Sequence, residues 1–397
     1  MLSIISISMG QFIVFAVLAP LIRAVGLQEY QGGLILSFSS IVFALSSGVW
    51  GRLSSIYGRK KVMLIGLMGY SLGTLLFVSG FFAGFELLLS GFALFSALVI
   101  ARMLQSTLMG ATSPATTAYM ADITTPEQRV KGMGLIGSAH SLGTILGPAI
   151  AAPLIALHLL APLLAASIIT FITAAIVLFW LPKDTVAASP QKVRIGAEIR
   201  HTLKSYFDPR YANLLLIGVL MFMSYAMCQQ TLGYLIQDQL MITPEAAASI
   251  LAKAFIYSAV FSLIAQIGVV SKLKLPASIV LTLGLPLMMV GYLILLQLSE
   301  PLDAMIAFSC IGFGFGMAMP GFAAAASLSV SAEEQGSVAG IISGAPALGY
   351  ILGPTLGSVL YQWESHAPYI ASAVLNAILT LMAFIQLKRA GKSSAGH

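Results

Sequence analysis

Arg102, His140 and Lys253 each interrupt a stretch of otherwise apolar residues. A charge held in hydrocarbon costs about 3 kcal/mol on insertion scales, so an ionisable group there is a functional candidate. Arg102 and Lys253 would bring fixed positive charge to a substrate bearing negative charge or many oxygen acceptors. His140, whose ring titrates near neutral pH, would carry a proton. Each also has a plainer role open to it: Arg102 satisfied by backbone carbonyls, Lys253 snorkelling along its stem, and His140 packed neutral against a hydrogen-bond partner.

Gln11 is the strongly polar group of its own apolar run. Gln230, Tyr234 and Gln237 recur at i, i+4 and i+7, the spacing of one helix face, with Gln229 and Asp238 nearby. Gln11 is a candidate lining residue; the Gln230 and Tyr234 face reads as ligand contact or as helix-to-helix hydrogen bonding. Met317, Met319 and Phe322 offer soft surface for amphipathic ligands, or ordinary packing. Arg23 reads as an interfacial anchor paired with Glu29. The 14 carboxylates all sort to the ends of the apolar runs, so a cationic ligand would meet no counter-charge at mid-membrane. A membrane-embedded transferase or hydrolase would need clustered carboxylates, or a nucleophile with a base, and the acid-free core speaks against one. No Gly-x4-Gly-Lys-Ser/Thr loop occurs, which excludes ATP as the drive. The five histidines, at 140, 158, 201, 366 and 397, lack metal-ligand spacing, and no metal or cofactor is expected. An ion gradient, or the substrate's own, must supply the energy.

The elements that hold these groups follow from composition. Of 397 residues only 34 are charged and 58% are hydrophobic, with a mean hydropathy of +0.95; a soluble domain carries about a quarter charged residues. The apolar runs are continuous over helix lengths, which excludes a transmembrane barrel. The fold class is an all-α membrane protein. Runs at 3–24, 31–51, 62–84, 93–120, 132–155, 161–181, 212–235, 245–270, 278–298, 304–328, 336–361 and 367–387 predict twelve spans in two six-helix bundles. The bundles take residues 1–182 and 211–390, with a basic linker at 183–210 and a tail at 391–397. Met1 leads directly into apolar residues without a basic leader, which reads as a retained first span. Cys228 and Cys310 fall inside apolar runs and behave as small hydrophobes.

Seventeen of the 20 Lys and Arg residues fall in alternate loops and the C-terminal tail. Short basic loops stay cytoplasmic, so both termini are expected there, in a bacterial inner membrane. The net charge of +6 is thus a topology signal, and no nucleic-acid partner is expected. An internal repeat runs at an offset of 206 residues: Gly134 through Gly143, Gly147 and Pro148 lies over Gly340 through Gly349, Gly353 and Pro354, with most of the fifteen positions identical. Spans 5 and 11 are then equivalent elements of two duplicated halves, the plan of a transporter with its site between repeats.

The loop after span 2 reads Gly51-Arg52-Leu53-Ser54-Ser55-Ile56-Tyr57-Gly58-Arg59-Lys60-Lys61. It resembles the signature loop of the major facilitator superfamily, Gly-x-Leu-Ala-Asp-Arg-x-Gly-Arg-Arg/Lys, with Ser55 and Ile56 where the family has Asp and Arg. Span 4 carries Arg102-Met-Leu-Gln105-Ser106, similar to the Arg-x-x-Gln-Gly motif of the drug:proton antiporter branch. It ends in Ala118-Tyr-Met-Ala-Asp122 and continues to Arg129, which resembles the same junction in tetracycline exporters. Gly134, Gly143, Gly147 and Pro148 are spaced as in the exporters' antiporter signature, with Ala151 and Ala152 for the final glycine pair.

The resemblance covers the whole chain. It implies a twelve-span, monomeric transporter that alternates access between two halves and exchanges protons for a small molecule leaving the cytoplasm. It further implies that the Asp missing at Ser55 would have latched the loop to the neighbouring half. The small residues of span 5 are expected to let it approach its counterpart in the other half. From the charge map the substrate is expected to be an anionic metabolite such as a carboxylate siderophore. The alternatives are a broad-specificity exporter of amphipathic drugs and an organic-acid importer of the same superfamily.

Overall fold

Backbone groups in hydrocarbon have no water to bond, so long apolar runs must close their hydrogen bonds internally as helices. The computed structural model describes residues 1–182, 208, 210–273, 275–330, 342 and 344–394, and among these there is helix and no strand. Spans 1 to 3 are α1 (Leu2–Ala24), α2 (Glu29–Tyr57) and α3 (Arg59–Phe85). Span 4 is two helices, α4 (Gly91–Met109) and α5 (Thr112–Ile123), and spans 5 and 6 are α6 (Pro126–Ile155) and α7 (Ala161–Trp180). Then come α8 (Ala212–Leu240), α9 (Pro244–Ile264) continued by a π-helical segment (Ala265–Val270), α10 (Ala277–Leu295), α11 (Pro301–Ser327), α12 (Ala345–Trp363) and α13 (Ala367–Ser394).

Eleven of these segments are long and apolar enough to cross a membrane. The twelfth, α12, is diluted by glycine and proline, and the first residues predicted for it lie largely outside the described residues. So does most of the predicted linker.

The break in span 4 has a local cause. Pro114 has no N–H to bond the Gly110 carbonyl, and its ring crowds that carbonyl. The chain tightens there, with Ala111 N donating to Leu108 O at 3.0 Å. The Trp50 indole takes up the freed Thr107 carbonyl at 2.7 Å.

The chain divides into two compact units. One comprises Met1–Gln191 with Leu232–Ile256, the other Lys192–Thr231 with Tyr257–His397. In the first, α1 packs on α6 and α7, and α3 on α4 and α7, around Val62, Met63, Leu67, Ala111, Ala115, Ala174 and Val177. In the second, α10 packs on α11 and α13, with Val280 and Met317 buried against Ala265.

The repeat has a structural counterpart inside each unit. A Cβ added at Gly143 would lie 2.9 Å from Met9 N, and one at Gly147 2.5 Å from Met9 O. In the second unit a Cβ at Gly349 would lie 2.8 Å from Met223 N, and one at Gly353 2.7 Å from Met223 O. Gly143 and Gly147 seat α6 on α1 of their own unit, because only a residue without Cβ lets two backbones approach this closely. Pro148 and Pro354 follow, both buried within their helices. Met9 and Met223 are thereby equivalent. The neighbours agree, since the Tyr70 hydroxyl lies against Gly10 and the Tyr292 hydroxyl lies 3.5 Å from Ser224 Oγ.

Candidate functional site

Arg102 is wholly buried, at 0% exposure. It projects from α4 toward α1 and α3. Its Nη2 donates to Gln11 Oε1 at 2.9 Å, and its Nη1 donates to Gln105 Oε1, one turn along α4. Gln105 Nε2 in turn donates to Thr74 Oγ1 at 2.5 Å, and the Thr74 hydroxyl donates to the Tyr70 carbonyl at 2.7 Å. Gly73 makes this possible, because a Cβ there would come within 2.6 Å of Gln105 Cβ. The Phe77 ring lies beneath the guanidinium, 5.8 Å from centroid to Cζ. Arg102 Nε has no acceptor among the described residues. No carboxylate among them pairs with Arg102. The charge is thus spread over two amide oxygens and a ring, with one N–H left over in a low-dielectric site where each such bond is worth about 1.5–3 kcal/mol.

Two of the sequence candidates, Gln11 and Arg102, are therefore brought together, with Gln105 of the motif. His140 joins the same face of α1 one turn away: its Nδ1 lies 2.7 Å from the buried Ser8 hydroxyl, while the residue as a whole keeps exposed surface. Lys253 stands apart on an exposed face of α9 and makes no ion pair or hydrogen bond among the described residues.

The polar stripe of α8 divides. Gln230 is buried in the second unit, with its Nε2 lacking a partner among the described residues. Tyr234 is buried in the first unit, its ring 5.0 Å under the Arg23 guanidinium. Gln229 is the α8 amide with a side-chain partner, accepting from Tyr350 Oη at 2.8 Å. One turn before it, Tyr225 stacks on Phe315 at 4.8 Å, and Phe222 meets the same ring edge-on at 5.4 Å. Two residues past its seat methionine, one unit thus carries Gln11 bonded to arginine and the other carries Tyr225 stacked on phenylalanine. Sequence reasoning passed over Tyr225, Phe315 and Tyr350, because aromatic residues inside apolar runs look like any core.

The motif loop is a second polar centre. Gly58, at φ 97°, is the single residue between α2 and α3, a backbone state that favours glycine. It delivers Arg59 to three acceptors: Asp122 Oδ2 at 3.0 Å, Ser54 Oγ at 2.7 Å and Ser55 Oγ at 3.1 Å. Lys60 Nζ donates to the Leu181 carbonyl at 2.5 Å, and Gly51 lies against Pro114 of α5. With serine in place of the family's acid, Arg59 finds its carboxylate at Asp122 on the motif junction of α5. The side chain of Arg129 lies outside the described residues.

At the far end of α1 the expected pair of Arg23 and Glu29 forms, with Nε and Nη2 both reaching Glu29 Oε1, at 3.0 and 2.8 Å. A second carboxylate, Asp238, which sequence spacing does not bring to this arginine, is bound there at 2.5 and 2.8 Å.

Known proteins agree with this architecture. The Major Facilitator Superfamily model matches residues 1–347 and 214–396. The chain is 26% identical over 369 residues to Multidrug resistance protein 2 of Bacillus subtilis, covering 91% of this chain and 88% of that protein. It is 26% identical over 380 residues to Quinolone resistance protein NorA of Staphylococcus aureus, covering 94% and 92%. A crystal structure of the nucleoside transporter NupG shares the fold, with a TM-score of 0.75 at 12% identity, covering 97% of this chain and 98% of that one. Duplicated helices, signature loop and family match converge: this chain is a multi-pass membrane transporter, not an enzyme, and it belongs to the Major Facilitator Superfamily.

Proposed function

We propose that this protein exports amphipathic, aromatic small molecules by alternating access, exchanging them for protons. The observation that carries the reading is the buried Arg102 guanidinium, held by Gln11 and Gln105 with no carboxylate among the described residues and with Nε still able to donate. A group this expensive to bury is kept for what it binds or for what it couples. The aromatic cluster of Phe222, Tyr225 and Phe315 offers flat faces for a ring system. Relatives named for multidrug and quinolone resistance make export of such compounds the natural reading. His140, paired with Ser8 one turn from Gln11, is the group suited to carry the proton. Both termini are proposed to lie in the cytoplasm of a bacterial cell, with the protein working as a monomer whose spans 1–6 and 7–12 are its two moving halves.

A second reading is favoured by Arg102 Nε together with Lys253, which makes no ion pair among the described residues: an oxygen-rich anion such as a carboxylate siderophore as substrate. Inverted vesicles separate the two. Ethidium and a citrate-type chelator are offered with and without an imposed pH gradient, to wild type and to Arg102→Ala. Gradient-driven ethidium accumulation supports the first reading. Accumulation of the chelator alone, lost in Arg102→Ala, supports the second, and transport of neither overturns both.

A further inference from the structure

We propose that the groove between the end of α3 and the start of α7 is a specific site for a zwitterionic phospholipid, taking one acyl chain and the glycerophosphate. Val78, Ser79 and Phe82 of α3 face Ala161 and Leu164 of α7 across a cavity of about 370 Å³, in the size range of small-ligand sites, with His158 at one end. All of these residues belong to one compact unit. The lining is apolar apart from the Ser79 hydroxyl and the His158 ring, and Ser79 Oγ already donates to Leu75 O of its own helix at 2.9 Å. His158 Nδ1 accepts from Leu160 N at 3.0 Å, and the ring stands edge-on to Phe85 at 5.9 Å. With Nδ1 taken up as an acceptor, the neutral ring carries its proton on Nε2, which has no partner among the described residues. The groove thus presents one oriented donor at the end of an apolar slot.

Position and chemistry both select a lipid. Phe82 and Leu164 are exposed, and so are Leu72 and Leu75 of α3 and Ile168 and Phe171 of α7, at the spacing of one helix face. In a membrane-spanning protein such apolar rows meet hydrocarbon, so the slot opens onto the bilayer. Further into the membrane the two helices are tied together: Ser71 Oγ donates to Ser167 O and Ser167 Oγ to Ser71 O, each at 2.9 Å. That clasp lies about 12 Å along α3 from Ser79 and closes the slot below the cavity. At the other end Phe85 is the last residue of α3, and His158 lies beyond the last turn of α6, the level at which lipid glycerophosphate meets a spanning helix. The Nε2–H donor suits a phosphate oxygen. Glu86 follows Phe85 at this rim and is exposed, so a headgroup that carries an ammonium beside its phosphate fits better than a net anion. A small aromatic cation would instead bring its positive charge to an N–H donor in a slot lined by no carboxylate.

The site needs neither the substrate nor the coupling proposed above, and it is tested on the full chain in nanodiscs. The probe is phosphatidylethanolamine with a diazirine on an acyl carbon near the glycerol; after illumination, peptide mass spectrometry locates the adducts. Labelling of residues 78–82 and 158–164 is expected to exceed that of other lipid-facing segments by about fivefold or more. Ser79→Phe, which fills the slot from an exposed helix face, is expected to bring labelling down to the level of those segments. His158→Asn keeps an oxygen where Nδ1 accepts from Leu160 N but has no counterpart of Nε2–H. It is expected to lower labelling about fivefold, the worth of one hydrogen bond. Uniform labelling along the lipid-facing helices overturns the site, as does full labelling in either variant. Displacement of the probe by ethidium overturns the lipid and gives the slot to a small aromatic ligand.

Discussion

Arg102 Nη2 donates to Gln11 Oε1 across 2.9 Å, so the α4 charge rests on an amide of α1 instead of on an acid. Gln11→Ala removes one of two amide acceptors from a buried guanidinium, and losing a buried hydrogen bond to a charged group costs about 1.5–3 kcal/mol. Ethidium transport is expected to fall at least tenfold. Arg102→Lys is expected not to rescue it, since one ammonium cannot serve Gln11 and Gln105 together as a planar fork does. Gln11→Glu should behave differently: an acid beside Arg102 cancels the positive field, and competition experiments should show tighter binding of cations and weaker binding of anions.

The methionine seats predict a steric asymmetry among glycines. Gly147→Ala and Gly353→Ala place a Cβ 2.5 Å from Met9 O and 2.7 Å from Met223 O, and overpacking of this kind costs about 1–3 kcal/mol. Gly137→Ala meets nothing within 4 Å and should melt at or slightly above the wild-type temperature. Thermal unfolding in detergent checks all three; equal loss at Gly137 would refute the seats.

Ser55→Asp returns the superfamily's acid to a position where the serine hydroxyl already lies 3.1 Å from Arg59 Nη1. A carboxylate there would share Arg59 with Asp122, whose pair is partly exposed at 18% and 26%, so the gain is limited to about 1 kcal/mol or less. The expected outcome is a slightly higher melting temperature and slower transport. Asp122→Asn should shift both in the opposite sense, measured by melting and by initial ethidium rates.

His140→Gln keeps a polar side chain in reach of Ser8 but removes the titrating ring. If His140 carries the proton, the transport rate of this variant flattens between about pH 5 and 8, while ethidium binding measured by fluorescence stays near wild type. A profile as steep as the wild type's would assign coupling to another group.

The membrane fold was legible because hydropathy and charge act over whole segments. Twelve apolar runs, alternate basic loops and the 206-residue repeat are additive signals that no single contact reverses. The break at Gly110 was missed because it depends on what Pro114 denies a carbonyl and on a distant indole that compensates. Arg23 with Glu29 was legible from six residues of separation, whereas Asp238 lies 215 residues away. The α8 stripe divides between two neighbourhoods that its spacing does not reveal. Helical spacing identifies a polar face but not the neighbour it meets, and in the fold it is Gln229, not Gln230, that finds a side-chain partner. The span 5 glycines were recognised as a packing surface, yet only coordinates show that they receive Met9.

The paired seats at Met9 and Met223 also bear on ancestry. Where backbone meets backbone, almost any side chain collides, and the two copies of a duplicated gene have stayed alike there. Two positions further along each first helix nothing enforces likeness, and one copy drifted to an amide serving a cation while the other drifted to a phenol stacked on a ring. A frame fixed by backbone contact at Met9 and Met223 thus leaves the residues two positions on, Gln11 and Tyr225, free to differ in chemistry while the frame keeps its shape.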